Sequence, residues 1–296
     1  MRLSRCSVSI AVLLILVSGN AKSQVRPDLG KLLATSGVIQ VEGAGGGGLV
    51  PWALISGYGT RDSYGANVHA TVLRTQDYAL TTHGMAIGFA DQVEMSLAKQ
   101  RFKGTDGPLD NVVIGQDILG LKMKVAGNAV YGQNEALPQI AIGLMAKRHT
   151  GVRGLAGVDS IKDLGAKSKN GIDYYVAATK LLLEHRLLLN GTLRATRANQ
   201  MGLLGFGGDA RNRYQIMPEV SAGFLINRSL VVGAEYRAKP HHNLRVDNEK
   251  DYYDTFIAYF PTKNISVTAA YVALGDITVL NPKQQHGTYL SLQVGF

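Results

Sequence analysis

The chain has a single cysteine, Cys6, among 296 residues. That scarcity excludes a disulfide framework, the usual support of small exported domains. Beyond the first 23 residues no run reaches 18 continuous apolar residues, which excludes a membrane-spanning helix. Acidic residues are outnumbered, 22 against 31 Lys and Arg, for a net charge of +9. None of the 7 histidines is followed two places later by serine, so the H-x-S pair of barrel lipases is missing. His69-Ala70-Thr71 is the nearest approach, with threonine where the nucleophile would stand. No H-E-x-x-H or EF-hand loop occurs. These gaps lead to the expectation of a protein that is not an enzyme and carries no metal or cofactor.

The first residues are informative by what they contain. Arg2 and Arg5 precede an apolar run from Ser9 to Val17, and Ala21-Lys22-Ser23 supplies a cleavage pattern before Gln24. This predicts a signal peptide over 1–23. Cys6 lies before the apolar run, not at its end, so lipidation is not expected. Without Arg2, Arg5 and Lys22 the net charge is +6. For an exported chain, that balance points to lipopolysaccharide and other anionic head groups and not to nucleic acid.

Glycine and tyrosine are plentiful, at 35 and 13. Alternation is the clearest pattern. From Leu230, LVVGAEYRAK separates Leu230, Val232, Ala234, Tyr236 and Ala238 from Val231, Gly233, Glu235, Arg237 and Lys239. Period two is the signature of a strand with two unlike faces. LLLNGTLRAT from Leu187 and ILGLKMKV from Ile118 behave alike, and HGTYLSLQVGF ends on Phe296 with Leu290, Leu292 and Val294 on its face. An apolar face ending in a C-terminal aromatic resembles the assembly signal of bacterial outer-membrane barrels, so the barrel-assembly machinery is an expected partner.

Strands are predicted at 65–74, 78–89, 92–103, 113–126, 138–149, 172–183, 185–197, 213–226, 229–239, 252–260, 264–274 and 286–296. Short polar breaks alternate with long Gly-, Asp-, Lys- and Asn-rich loops, the asymmetry of outer-membrane barrels. The expected fold is all-β: a closed antiparallel transmembrane barrel of about 12 strands, or 14 if a hairpin from Ser36–Glu42 and Leu49–Tyr58 joins it. The domains are then 1–23 leader, 24–64 Gly-rich segment and 65–296 barrel. A monomer in the bacterial outer membrane is expected. Phe89, Tyr174, Tyr252, Tyr253, Phe260 and Tyr289 are candidates for an interfacial girdle.

The stretches LVPWALISGYGTRD (49–62), ATKLLLEHRLLLNGTLRATRANQMGLLGFGGD (178–209), VVGAEYR (231–237) and KNISVTAAYVALG (263–275) resemble a family of bacterial proteins known as domain of unknown function 3034. The resemblance runs from about Lys31 to Phe296. It implies an outer-membrane β-barrel and implies no activity.

Parity assigns Glu94, Lys122, Lys124, Lys147, Arg194, Glu219, Glu235 and Arg237 to the inner wall, with Asp173 and Asp254 on strands harder to orient. Five cations face five anions, which predicts paired charges and no strong ion selectivity. The solute, if the barrel passes one, is an unknown small molecule. His241 and His242 precede Asp247, Glu249 and Asp251, but the spacing matches no metal motif.

Gly43, Gly45 and Gly48 satisfy G-x-G-x-x-G within VEGAGGGGLVPW. A dinucleotide loop would need a following helix and an acid about 20 residues on. ISGYG breaks the helix, and residue 68 is Val68. Gly43, Gly45, Gly46, Gly47 and Gly48, anchored by Trp52, are read instead as a hinge or plug at the barrel entrance.

Overall fold

The computed structural model describes residues 31, 38–241, 244, 250–278 and 280–296. The expected leader, 1–23, lies outside the described residues. Twelve strands make the wall: β1 Tyr64–Thr75, β2 Tyr78–Phe89, β3 Val93–Gly104, β4 Val113–Ala126, β5 Gln139–Arg153, β6 Asn170–Leu182, β7 Leu187–Thr196, β8 Gln215–Asn227, β9 Leu230–Arg237, β10 Tyr252–Tyr259, β11 Ile265–Gly275 and β12 Gln285–Gly295. Each pairs antiparallel with its chain neighbours, and β12 returns to β1 from Asn67–Gly295 to Thr75–Gly287. Closure leaves no strand edge unpaired.

The fourteen-strand alternative does not hold. Val38–Tyr58 makes only isolated bridges with itself, Ile39 to Gly45 and Gly46 to Pro51. The edge of β1 that a further hairpin would need is already taken by β12.

Parity is consistent around the wall. On β7, Leu189 and Leu193 are exposed on the outer face, whereas Asn190, Thr192 and Arg194 are buried within. β10 puts Asp254, Phe256 and Ala258 inside and Tyr253, Ile257 and Tyr259 outside. β6 puts Asp173 inside, while Lys180 on the outer side donates to the Glu135 carbonyl at 2.9 Å. That bond ties the 127–138 connection to the wall. Half of the expected girdle is corrected. Phe89, Tyr174 and Tyr253 are outward, but Tyr252, Phe260 and Tyr289 are buried. Tyr252 and Tyr253 are adjacent in one strand, so their side chains must take opposite faces.

Short turns at 90–92, 183–186, 228–229 and 260–264 share one end of the barrel with the 127–138 connection. The loops 105–112, 154–169, 197–214, 238–251 and 276–284 share the other, the long-loop end. The core is inside the barrel, where every residue from Val38 to Gly59 is buried.

Candidate functional site

The segment Val38–Tyr58 folds on itself before it meets the wall. The Gly43 N–H donates to the Gln40 carbonyl at 2.8 Å, Val41 to Gly48 at 2.9 Å, and Gly47 to Val50 at 2.9 Å. Gly43 has φ +98°, a left-handed conformation that favours glycine. Gly47 is required by proximity: a Cβ there would lie 1.9 Å from Glu235 Oε1. The glycine run is thus a set of tight turns that brings backbone against charged wall side chains.

The wall grips this backbone from β3 to β9. Glu94 on β3 accepts from the N–H groups of Gly45 and Ser56, both at 2.9 Å, and from Ser56 Oγ at 2.7 Å. Lys122 on β4 donates to Glu94 at 3.0 Å and to the carbonyls of Gly45 and Leu54 at 2.9 and 2.7 Å. Gln139 on β5 donates to the Ala53 carbonyl at 2.7 Å, and the Ala53 N–H donates to Thr179 Oγ1 on β6 at 2.8 Å. Thr192 on β7 donates to the Pro51 carbonyl at 2.8 Å. The Trp52 indole donates to Ser221 Oγ on β8 at 3.0 Å, and Ser221 donates to Glu235 on β9 at 2.6 Å. Glu235 also accepts from the Leu49 N–H at 2.6 Å. At the start of the segment, Gln293 on β12 accepts from the Ile39 N–H at 3.2 Å.

At the centre of the barrel lies an ion cluster. Glu42 of the inner segment meets Lys147 on β5, Arg194 on β7 at 3.3 Å and Arg237 on β9 at 2.7 Å. Asp173 on β6 pairs with Lys147 at 2.5 Å, and Glu219 on β8 with Arg194 at 2.5 Å. Three acids offset three bases with almost no exposure. Single buried charges are costly unless paired in this way. At the short-turn rim, Lys124 and Lys31 share Asp91 at 3.0 and 2.9 Å, and Lys31 also donates to the Ile55 carbonyl. Burial pulls the Lys31 ammonium below its ordinary value, with Asp91 acting the other way.

The structure places all ten parity-assigned side chains on the inner face and gathers them with the Gly-rich turns around one segment. Sequence reasoning missed Glu42 as a member of the cluster. It lies in no strand, so no alternation could assign it.

The remaining arc, β10, β11, β12, β1 and β2, differs. Asn67 and His69 on β1, Thr82 on β2 and Thr268 on β11 are buried with side-chain polar atoms that have no hydrogen-bond partner, while Asp254 on β10 lies against Glu235. His69 does not engage Thr71, whose hydroxyl lies 2.8 Å from Ser291 Oγ. Another orphaned atom, Gln116 Oε1, lies nearer the long-loop end.

At that end, Asp77 accepts from Asn281 Nδ2 at 2.9 Å, Gln285 Nε2 at 2.7 Å and Lys283 Nζ at 3.2 Å. The amide of Asn281 and these other donors hold its carboxyl below the usual carboxylate range. His241 lies 3.2 Å from Asp251. His242, Asp247 and Glu249 lie outside the described residues. Phe296 is exposed at the short-turn end, and its carbonyl accepts from Tyr58 and Ala66 at 2.8 and 3.2 Å.

Comparison with curated proteins finds no match. Among solved structures, the NanC porin is similar with a TM-score of 0.52 at 10% identity, over 77% of this chain and 98% of that one. The KdgM porin gives 0.48 at 9% identity over 78% and 99%. An outer membrane channel from Pseudomonas putida F1 gives 0.48 at 11% identity over 83% and 97%. At such identities the likeness to the NanC porin concerns the fold. A family model described as a protein of unknown function, DUF3034, matches residues 35–293, and the chain belongs to that family.

Proposed function

We propose that this protein is an outer-membrane channel for small uncharged molecules, plugged by its own N-terminal segment. One observation carries the reading: the segment is bonded chiefly to β3–β9, with Gln293 on β12 a further tie, and it faces orphaned polar side chains on β11, β1 and β2. A buried polar group without a partner costs about 1–3 kcal/mol. A barrel built only for strength gains nothing from Asn67, His69, Thr82 and Thr268 in that state. Water entering along β10 to β2 would satisfy them, and the same path would admit a solute without breaking the ion cluster.

Charge balance among the ion-paired groups supports the solute class, with Glu235 and Asp254 set against each other beside them. Glu42, Asp173 and Glu219 offset Lys147, Arg194 and Arg237, and Glu94 offsets Lys122. A ring of one sign, which selects ions, is not formed by these eight groups. The exposed apolar belt of Leu97, Leu121, Leu193, Val220 and Leu290 suits a bilayer. Lys162, Lys169 and Arg213, exposed on the long loops, suit lipopolysaccharide phosphates.

The test is proteoliposome swelling in uncharged sugars, with planar-bilayer conductance alongside. The chain from residue 24 is compared with one lacking 24–64. The full chain should pass arabinose slowly, and the shorter chain faster. Flux from neither would overturn the channel reading. It would favour a closed structural barrel, the reading to which the fully buried ion cluster lends its weight.

A further inference from the structure

We infer that the long-loop half of the barrel is a binding site for an uncharged, apolar small molecule. The inner wall changes character along its length. Near the centre the inward positions are charged. Toward the long loops they become Leu73, Leu80, Phe102, Ile114, Val152 and Leu274, all buried. Lumens of membrane barrels are ordinarily polar, so this reversal needs a reason.

Two cavities lie in this half. One, of about 570 Å³, is lined by Phe102, Leu109, Ile114, Leu155, Leu204 and Leu280 among others. The second, of about 50 Å³, lies deeper and reaches Val41 of the inner segment. They share Phe102, Ile114 and Leu204 as a common wall. Packing of a loop cap against the barrel explains apolar residues, but packed cores leave few voids larger than a water molecule. The outer cavity is in the range of small-molecule sites.

Most polar groups at the cavity walls are already engaged, with the hydroxyl of Thr278 the exception among the described residues. Asp163 Oδ2 accepts from the N–H groups of Asp159 and Ser160 at 3.1 and 2.9 Å. Asp209 pairs with Lys167. Gln200 accepts from Tyr252 at 2.7 Å and donates to the Asp276 carbonyl at 3.3 Å. None of the described lining residues is a cation that could hold an anionic head group, and most of them are apolar. The ligand is therefore a hydrocarbon-like molecule such as a fused-ring aromatic. In taking this ligand as the transported solute, the proposal rests on the channel reading above.

The experiment uses the chain from residue 24 in lipid nanodiscs, with naphthalene as the probe. Leu155→Cys, on the cavity wall, is labelled with a water-soluble maleimide, and Asp159→Cys on the exposed loop is the control. Naphthalene at several times its dissociation constant should slow labelling at 155 about fivefold, leave 159 unchanged, and be without effect when replaced by glucose. Ile114→Asp should abolish the protection. Ile114→Trp, which fills the space without adding charge, replaces it if the first variant lacks the heat-modifiable migration of a folded barrel. No labelling at 155, equal slowing at both sites, or equal slowing by glucose would overturn the site. Protection retained in a protein that passes no sugar and no naphthalene would leave the site standing and remove the channel reading. Flux without protection would do the reverse.

Discussion

Arg237 on β9 donates to Glu42 at 2.7 Å across 195 positions of sequence, joining the inner segment to the wall at the centre of the barrel. Glu42 is the one acid of the cluster that the wall does not supply. Glu42→Gln leaves Lys147, Arg194 and Arg237 facing only Asp173 and Glu219. Removing one partner from a buried ion pair costs about 3–5 kcal/mol. The loss should appear as undocking of the segment. Ala53→Cys, fully buried in the parent, reports on this by maleimide labelling. Glu42→Gln should speed that labelling about a hundredfold, the equivalent of about 3 kcal/mol. An unchanged rate would mean that the cluster does not hold the segment.

Gly47→Ala tests the same docking by shape instead of charge. Its Cβ would fall 1.9 Å from Glu235 Oε1, so either the turn or the carboxylate must move, and the Leu49 bond to Glu235 goes with it. Gly191→Ala on the outer face of β7 meets nothing within 4 Å and is the control. Gly47→Ala should raise both Ala53→Cys labelling and sugar flux, and Gly191→Ala should change neither. Equal effects would show that the barrel merely dislikes losing glycine.

Much of this was legible beforehand, and the exceptions have causes. LVVGAEYRAK is polar on one face only, so its parity orients the strand without further information. YYDTFIAY in β10 is mixed on both faces, and only pairing with β9 and β11 decides that Asp254 points inward. Glu42 was invisible as a site residue because turns have no period. Leu73, Leu80, Phe102 and Ile114 were invisible for a different reason. Apolar residues at inward parity contradict the simple rule that a barrel lumen is polar, and the rule hides the site that breaks it. Tyr252, Phe260 and Tyr289 were misplaced because an aromatic near a strand end was weighed by type and not by parity.

Asp77 carries a pH dependence. It lies in the β1–β2 turn and holds the 276–284 loop through Asn281, Lys283 and Gln285. Its carboxyl is held below the ordinary value of about 3.9. A depressed value means that the ionised form stabilises the folded loop. That contribution is complete at neutral pH and is lost as pH falls below the ordinary value and through the depressed one. Ile277→Cys, buried at the start of this loop, should stay protected from a pH-tolerant thiol reagent at pH 7 and down to about 5, and become accessible only in stronger acid. Asp77→Asn should bring the accessible state to pH 7, at a cost of about 1–3 kcal/mol. Opening that begins near neutrality in the parent would assign the switch to another group.

The path of the solute separates two locks on the same segment. Ala53 and Thr179 touch on the strongly bonded side, with the Ala53 N–H 2.8 Å from Thr179 Oγ1. Gly48 and Asp254 touch on the side of the orphaned groups, where a Cβ on Gly48 would lie 3.1 Å from Asp254 Oδ2. Both contacts can be probed by paired cysteine substitution, and Cys6 is the only native cysteine, within the expected leader. If solute passes along β10 to β2, the Ala53–Thr179 lock should leave sugar flux unchanged. The Gly48–Asp254 lock should reduce it severalfold, with recovery on reduction. Block by the first lock alone would mean that the ion cluster must break for passage and that the segment moves as a gate. Block by both would mean that it must leave the barrel altogether. Either result would refute a path along the weakly held wall.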